Sequence, residues 1–117
     1  MDKPVIRTGY FAKYSLYENP VSIARKTPSY VKIPSYIDLA PEWSLIKTYS
    51  VNKDRDAYTE RYFEVLKKLN PEKVIQDLRR FGNIVTLLCY EKPEDFCHRH
   101  LVAKWLQDSL GIHVKEA

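Results

Sequence analysis

The chain has 117 residues, of which 44% are hydrophobic and 29% are charged. This balance is typical of one folded domain with a sizeable core, and it excludes a disordered chain. The formal net charge of +4 slightly favours an anionic ligand, but it falls well short of a nucleic-acid-binding signature.

The N-terminus and the cysteines indicate in which cellular compartment the protein lies. No apolar run approaches the length of a membrane span, and MDKPVIRTGYF has no signal-peptide core. The chain contains two cysteines, and without a secretory signal they favour free thiols in a reducing compartment. We therefore expect a cytoplasmic protein with no membrane segment.

The N-terminal part of the chain predicts two strands and a long loop. Residues 4–14 read as a first strand with a glycine near its end, and residues 21–25 as a second, short strand. Residues 26–43 contain three prolines with two tyrosines between them. A loop of this length in a compact domain is usually functional or a packed lid.

The remaining chain predicts helices and strands in an order typical of an α/β protein. Apolar spacing and turn residues define each element. The predicted helices cover 42–50, 54–69, 71–81 and 96–110, and the predicted strands 84–89 and 112–115. Crossovers that contain helices imply mostly parallel pairing. We therefore expect a single α/β domain over 1–117, with three layers and a mostly parallel sheet of about four strands flanked by helices.

The join between the strand at 84–89 and the last helix is the predicted site. In α/β proteins such joins are where ligands usually bind. Helical spacing directs Cys97 and His98 towards the sheet, close to Cys89 at the end of the strand. The first helical turn offers free N–H groups and a positive dipole end, which with Arg99 predicts an anion-binding site.

The cysteines admit several interpretations. Cys97 near a helix N-terminus would have a lowered thiol pKa, as a nucleophile or a redox thiol needs; alternatively, both cysteines are small buried hydrophobes. A reversible Cys89–Cys97 disulfide also remains open. We expect no metal site, because the spacing matches no standard zinc pattern and one helix cannot direct Cys97, His98 and His100 at one ion.

Three further side chains at the join have both a chemical and a structural interpretation. Glu91 is the best carboxylate for acid–base catalysis, or it forms a helix cap or salt bridge. His98 is either a catalyst at the mouth of a cleft or a core histidine. Arg99 either binds phosphate or pairs with Glu91 or Glu94.

The ends of the first two strands add a candidate ligand rim. If these strands run parallel to 84–89, Arg25, Tyr10 and Phe11 lie at the same edge of the sheet. An arginine with aromatic rings suits a nucleotide, since the rings stack on the base and the guanidinium binds phosphate. Alternatively, the tyrosines cover the core with their hydroxyls in water.

Three segments resemble a known family. SIAR (22–25), LAPEWSL (39–45) and above all LLCYEKPEDFCHRHLVAKWL (87–106) are similar to the prokaryotic and phage family called domain of unknown function four hundred and eighty-eight. The resemblance implies a compact α/β fold and no established activity. The signature residues that it implies, without roles, are Arg25, Cys89, Glu91, Cys97, His98 and Arg99.

These observations lead to one functional hypothesis and two alternatives. We expect an enzyme or enzyme-like domain that acts on a phosphorylated or nucleotide-like ligand at the join 89–99. The alternatives are a non-catalytic module that binds nucleic acid or a nucleotide signal, and a thiol redox protein. The sequence contains no P-loop, dinucleotide fingerprint, serine elbow or zinc pattern, and it assigns neither a cofactor nor an oligomeric state.

Overall fold

A computed structural model describes residues 3–91 and 96–117. Its central sheet has four strands, all parallel, in the order β2-β3-β1-β4. The strands are β1 (Val5–Tyr10), β2 (Pro20–Ser22), β3 (Ile84–Cys89) and β4 (Lys115–Glu116). The helices are α1 (Trp43–Asn52), α2 (Arg55–Lys67), α3 (Pro71–Arg79) and α4 (His98–Leu110). The protein is therefore a small α/β domain, as the sequence predicts.

The α-helices cover one face of the sheet. Val85 and Leu87 of β3 point to this face, where they share a buried cluster with residues from all four helices. Helix α4 packs against α2 and α3 and also contacts β1 and β3. None of the helices in the described ranges is long and apolar enough to span a membrane.

The opposite face is covered by irregular structure instead of an α-helix. Leu88 points to this side and packs with Phe11, Val31 and neighbouring side chains. The chain here forms a 3-10 segment at Phe11–Leu16 and part of the loop between β2 and α1. The third layer of the domain is thus this segment and loop.

The first predicted strand is too long, because β1 ends at Tyr10 and the chain then turns onto the sheet. The turn places the Tyr17 ring against Gly9, where an added Cβ would lie only 2.6 Å from the ring. Glycine is needed at this position so that the ring can approach the strand. The predicted second strand also shortens, to Pro20–Ser22.

The helix ends follow side-chain caps that the sequence contains. Asp54 accepts a hydrogen bond from the backbone N–H of Ala57 at the start of α2, and Asn70 caps α3. Gly111 ends α4 in the left-handed conformation, with φ 66°. The last helix begins at His98 and not at residue 96, because Cys97 is its N-cap residue with extended backbone.

Candidate functional site

A cavity of about 300 Å³ opens where β2 and β3 end. Its walls come from residues 24–26 after β2, from α1 and α2, and from 89–91 and 96–98 around the join to α4. Parallel β2 and β3 are neighbours in the sheet, so their carboxyl ends bring the loops that follow them to one place. The cavity therefore lies at the edge of the sheet that the sequence predicts.

Aromatic side chains form the walls of the cavity. The rings of Tyr49, Tyr58 and Phe96 pack edge to face or tilted, with centroids 5.3–5.4 Å apart. Burial raises the pKa of Tyr58 far above its ordinary value, so its hydroxyl stays protonated. Trp43 and Tyr90 are each 52% exposed and also line the cavity. A flat ring entering the cavity would meet aromatic surface on several sides.

Charged side chains lie on the same cavity wall. Arg25 donates from Nε to the Pro41 carbonyl at 3.0 Å and from Nη2 to the Ala40 carbonyl at 3.3 Å. These bonds fix a cation beside the start of α1. Lys26 and Glu91 are exposed and line the cavity as well. Among the described residues, the cavity lining thus combines apolar walls with two cations and one carboxylate.

Two cysteines and a histidine, all buried, also line the cavity. Cys89 and Cys97 are joined by a disulfide, which differs from the expectation of two free thiols. The Nε2 atom of His98 lies 2.7 Å from the carbonyl oxygen of Ile23, and its Nδ1 atom lies 3.9 Å from Sγ of Cys97. Because a carbonyl only accepts hydrogen bonds, Nε2 carries the proton and Nδ1 keeps its lone pair.

His98 is a neutral imidazole in this setting. Its side chain is buried, and burial lowers its pKa to about 4, against the opposing effect of the Ile23 carbonyl. The extended backbone of Cys97 explains how two consecutive residues converge. On a regular helix their side chains would diverge by about 100°, whereas the N-cap conformation turns Cys97 towards Cys89.

Arg99 lies behind the cysteines, in the core. It is fully buried, and its Nε and Nη2 donate to the two carboxylate oxygens of Glu116 at 3.2 and 3.0 Å. Its Nη1 donates to Sγ of Cys89 at 3.2 Å, and Thr8 also donates to Glu116. Among the described residues, the carboxylate that pairs with Arg99 is Glu116 and not Glu91; Glu94, the other predicted partner, lies outside the described residues.

The structure brings together four of the seven predicted site residues. The cavity is lined by Arg25, Glu91, Cys97 and His98. Arg99 is not among the lining residues and pairs with Glu116 in the core. Phe11 is buried on the opposite face of the sheet, and Tyr10 at the end of β1 is also outside the lining. The segment 92–95, predicted as a tight loop, lies outside the described residues.

Sequence reasoning missed the contribution of α1 to the cavity. Trp43, Ile46 and Tyr49 line it, and their spacing of three residues places them along one side of the helix. The lining also includes further residues that were not predicted as site residues: Lys26, Tyr58, Tyr90 and Phe96. The repeated three-residue spacing was the available signal, but it does not distinguish a cavity wall from a core face.

This arrangement defines the class of protein as an α/β domain with a ligand-sized cavity at the ends of parallel strands. The family described as the Active DUF488-N3 subclade matches residues 17–110, a range that includes every residue of the cavity lining. The chain therefore belongs to the DUF488 family. Neither the curated proteins nor the solved structures include a significant match to it.

Proposed function

We propose that this domain is an enzyme that binds a nucleotide-like ligand, with a flat ring and a phosphate group, in the cavity at the ends of β2 and β3. The observation that carries this proposal is the combination of aromatic walls with cations in one cavity of about 300 Å³. A volume of this size is at the lower limit of small-molecule sites. It fits a mononucleotide better than a larger cofactor.

The ring of the ligand would stack on the aromatic walls. Trp43 and Tyr90 are half-exposed, so a ligand can cover their surface without displacing core packing. Stacking of a base on an aromatic side chain contributes about 1–3 kcal/mol. Such contacts accept different bases, because every base has a π-face.

The phosphate would be held by Arg25 and Lys26. Arg25 is held in place by the two carbonyls before α1, whereas Lys26 is exposed and adaptable. The charge of Arg99 is instead offset by Glu116 within the core. The anion-binding role expected for Arg99 is therefore assigned here to the two cations on the cavity wall.

Catalysis would use Glu91, which is the one carboxylate among the described lining residues. An exposed carboxylate beside a bound ligand can accept or deliver a proton during the reaction. The description of the matched subclade as active also favours catalysis over passive binding.

The binding test uses the fluorescence of Trp43. The chain has two tryptophans: Trp43 lines the cavity, whereas Trp105 is buried in the core. Nucleoside monophosphates should quench the fluorescence of the wild type, and Trp43→Phe should abolish the signal. Inorganic phosphate and the unphosphorylated nucleoside serve as half-ligands and should each bind more weakly.

The role of charge is tested with a matched pair of lysines. Lys26→Ala should weaken binding about tenfold, which corresponds to about 1.4 kcal/mol, and Lys32→Ala should leave it unchanged. Both lysines are exposed and lie in the same loop, but only Lys26 lines this cavity. Equal effects of the two substitutions would show that the net charge, and not the cavity, attracts the ligand.

Catalysis is tested by mass spectrometry of nucleotides incubated with the protein. Glu91→Gln should retain ligand binding and lose product formation. Binding without product formation by the wild type would favour the non-catalytic binding module. The absence of quenching with every nucleotide would refute the proposal.

The second candidate function is thiol redox chemistry, which the Cys89–Cys97 disulfide in the cavity wall favours. In this reaction two small-molecule thiols would be oxidised to one disulfide, while the protein disulfide becomes two thiols. Equilibration with a glutathione buffer, followed by acid quenching and mass measurement, tests it. A protein disulfide that survives millimolar reduced glutathione would exclude this role.

A further inference from the structure

We propose that Cys89, Cys97 and His98, with both cysteines reduced, form a metal site for Zn²⁺ in the wall of the cavity. This inference goes beyond the proposed function, because it concerns the protein's own ligands and not the nucleotide-like molecule. It also revises the expectation of no metal site, which rested on the lack of a standard zinc spacing and on the inability of one helix to direct Cys97, His98 and His100 at one ion.

The three ligand atoms already lie close together. The sulfurs of Cys89 and Cys97 and a ring nitrogen of His98 all lie within 4.8 Å of one another. Zn²⁺ binds thiolate sulfur at about 2.3 Å and imidazole nitrogen at about 2.0–2.1 Å, so tetrahedral ligand atoms are separated by roughly 3.3–3.8 Å. The separation of 3.9 Å between Cys97 Sγ and His98 Nδ1 is close to this value.

The backbone spacing of the cysteines suits a shared ion. Their Cα atoms are 7.1 Å apart, which is wider than the span of about 4.4–6.8 Å that disulfides usually bridge. In the reduced protein, rotation about the side-chain bonds can separate the sulfurs to the distance that an ion requires. The Cα atoms of the two cysteines do not have to move further apart before the ion binds.

The orientation of His98 is the one that metal-binding histidines adopt. Such residues almost always donate their second ring N–H to a carbonyl or carboxylate, which fixes the tautomer. Here Nε2 donates to the carbonyl oxygen of Ile23 at 2.7 Å. The unprotonated Nδ1 is therefore directed to the side where Cys97 lies.

The charges around the site balance. Two thiolates neutralise one divalent cation, and Glu116 neutralises the neighbouring Arg99, so the buried group carries no net charge. Arg99 also donates from Nη1 to Sγ of Cys89 at 3.2 Å, which stabilises that sulfur as a thiolate. The usual penalty for burying an uncompensated ion is thereby avoided.

The number and kind of ligands indicate the chemistry of the site. Two thiolates and one imidazole favour zinc over calcium and magnesium, since those two ions prefer oxygen ligands. Three protein ligands leave a fourth tetrahedral position open, as in catalytic zinc sites. Cys89, Cys97 and His98 all line the cavity, so a water or a ligand atom can occupy that position.

The test uses the full chain, reduced and then freed of excess reductant, with Co²⁺ as the spectroscopic probe. One Co²⁺ per chain should bind and give a thiolate-to-metal charge-transfer band together with the intense visible bands of a tetrahedral site. One equivalent of Zn²⁺ should remove both signals. Protein oxidised to the disulfide should give neither.

Substitutions identify the ligands. Cys89→Ser, Cys97→Ser and His98→Gln should each weaken Co²⁺ binding at least tenfold, whereas His113→Asn should not, because His113 is exposed in the C-terminal segment. Circular dichroism identifies any variant that fails to fold. If a variant does not fold, a second measurement on the wild type replaces it. Zn²⁺ should protect both thiols of the reduced wild type from alkylation, and mass spectrometry counts the alkylated thiols.

Any one of three results would overturn the metal site. The reduced wild type could bind no Co²⁺, or the oxidised protein could still bind it. Alternatively, His113→Asn could weaken Co²⁺ binding as much as His98→Gln does. Fluorescence quenching by nucleotides in metal-free protein is a separate measurement, so failure of the metal site leaves the proposed function standing.

Discussion

Replacing Glu116 should destabilise the fold, because Arg99 would keep its charge in the core without a counter-ion. Both carboxylate oxygens of Glu116 accept hydrogen bonds from Arg99, and Arg99 is fully buried. Removing one partner of a buried ion pair costs about 3–5 kcal/mol. Since the Glu116 side chain is 25% exposed, water can reach the vacated position, and we expect about 3 kcal/mol for Glu116→Ala.

Urea denaturation followed by circular dichroism measures this loss. With a denaturant slope of about 1.5 kcal/mol/M for a domain of this size, the midpoint should fall by about 2 M. All proteins are compared under reducing conditions, so that the disulfide does not contribute. The matched control is Asp108→Ala, which breaks the Lys104–Asp108 pair on the surface and should cost at most about 0.5 kcal/mol. If both substitutions cost the same, the argument from burial is wrong.

The same ion pair predicts a dependence on pH. Although burial opposes it, the hydrogen bonds from Arg99 and Thr8 lower the pKa of Glu116 below its ordinary value of 4.5. A carboxyl with a depressed folded pKa stabilises the fold above its unfolded pKa and loses that effect as the pH falls through the folded value. The stability difference between wild type and Glu116→Gln should therefore be constant above about pH 5.5 and shrink below 4.5.

Two further substitutions, at Gly9 and Tyr62, test the packing that positions the site, and a third, at Gly111, tests the backbone. Gly9→Ala should lower the free energy of unfolding by about 1–3 kcal/mol in a thermal melt, because the new Cβ would lie 2.6 Å from the Tyr17 ring. At Gly111 an added Cβ meets nothing within 4 Å, but φ is 66°. Gly111→Ala should therefore cost about 1 kcal/mol through the backbone alone. Tyr62→Phe should cost about 1–2 kcal/mol in urea, because it leaves the buried carbonyl of Leu39 without the phenol donor; an unchanged midpoint would contradict this.

The elements that the sequence predicted best are those with local signals. The strand at 84–89 has the predicted bounds, because a largely apolar run, interrupted only by Thr86, follows Gly82-Asn83 and ends just before Tyr90 and Glu91. Helix α3 begins at Pro71 after the Asn70 cap, and both residues are visible signals in the sequence. The start of α4 was misplaced by two residues, since nothing local shows that the backbone of Cys97 is extended.

The features that the sequence could not give depend on distant partners. Arg99 has several carboxylates within reach along the chain, and only the parallel pairing of β4 with β1 brings Glu116 to it. The path of the chain after Tyr10 depends on the contact between Gly9 and the Tyr17 ring, which propensity does not reveal. Parallel pairing alone therefore predicts the edge of the sheet at which the cavity lies. It does not predict which side chains face the cavity.

The buried ion pair is better explained by the sulfur that it supports than by stability. Apolar residues of similar volume often replace such a pair at no cost, or even increase stability by about 1–4 kcal/mol. A hydrocarbon side chain at position 99, however, could not donate to Sγ of Cys89 as Nη1 does at 3.2 Å. The pair thus keeps one charged donor beside the cysteine.

One double variant separates the effect of the ion pair on folding from its effect on metal binding. Arg99→Met combined with Glu116→Leu should unfold in urea at or above the wild-type midpoint, because no unpaired charge is left in the core. Its affinity for Co²⁺ should nevertheless fall about 10–100-fold, the usual effect of losing a group that supports a metal ligand. If the double variant binds Co²⁺ as tightly as the wild type, the hydrogen bond from Arg99 Nη1 to Cys89 Sγ is not needed for metal binding. Arg99 would then serve the fold alone.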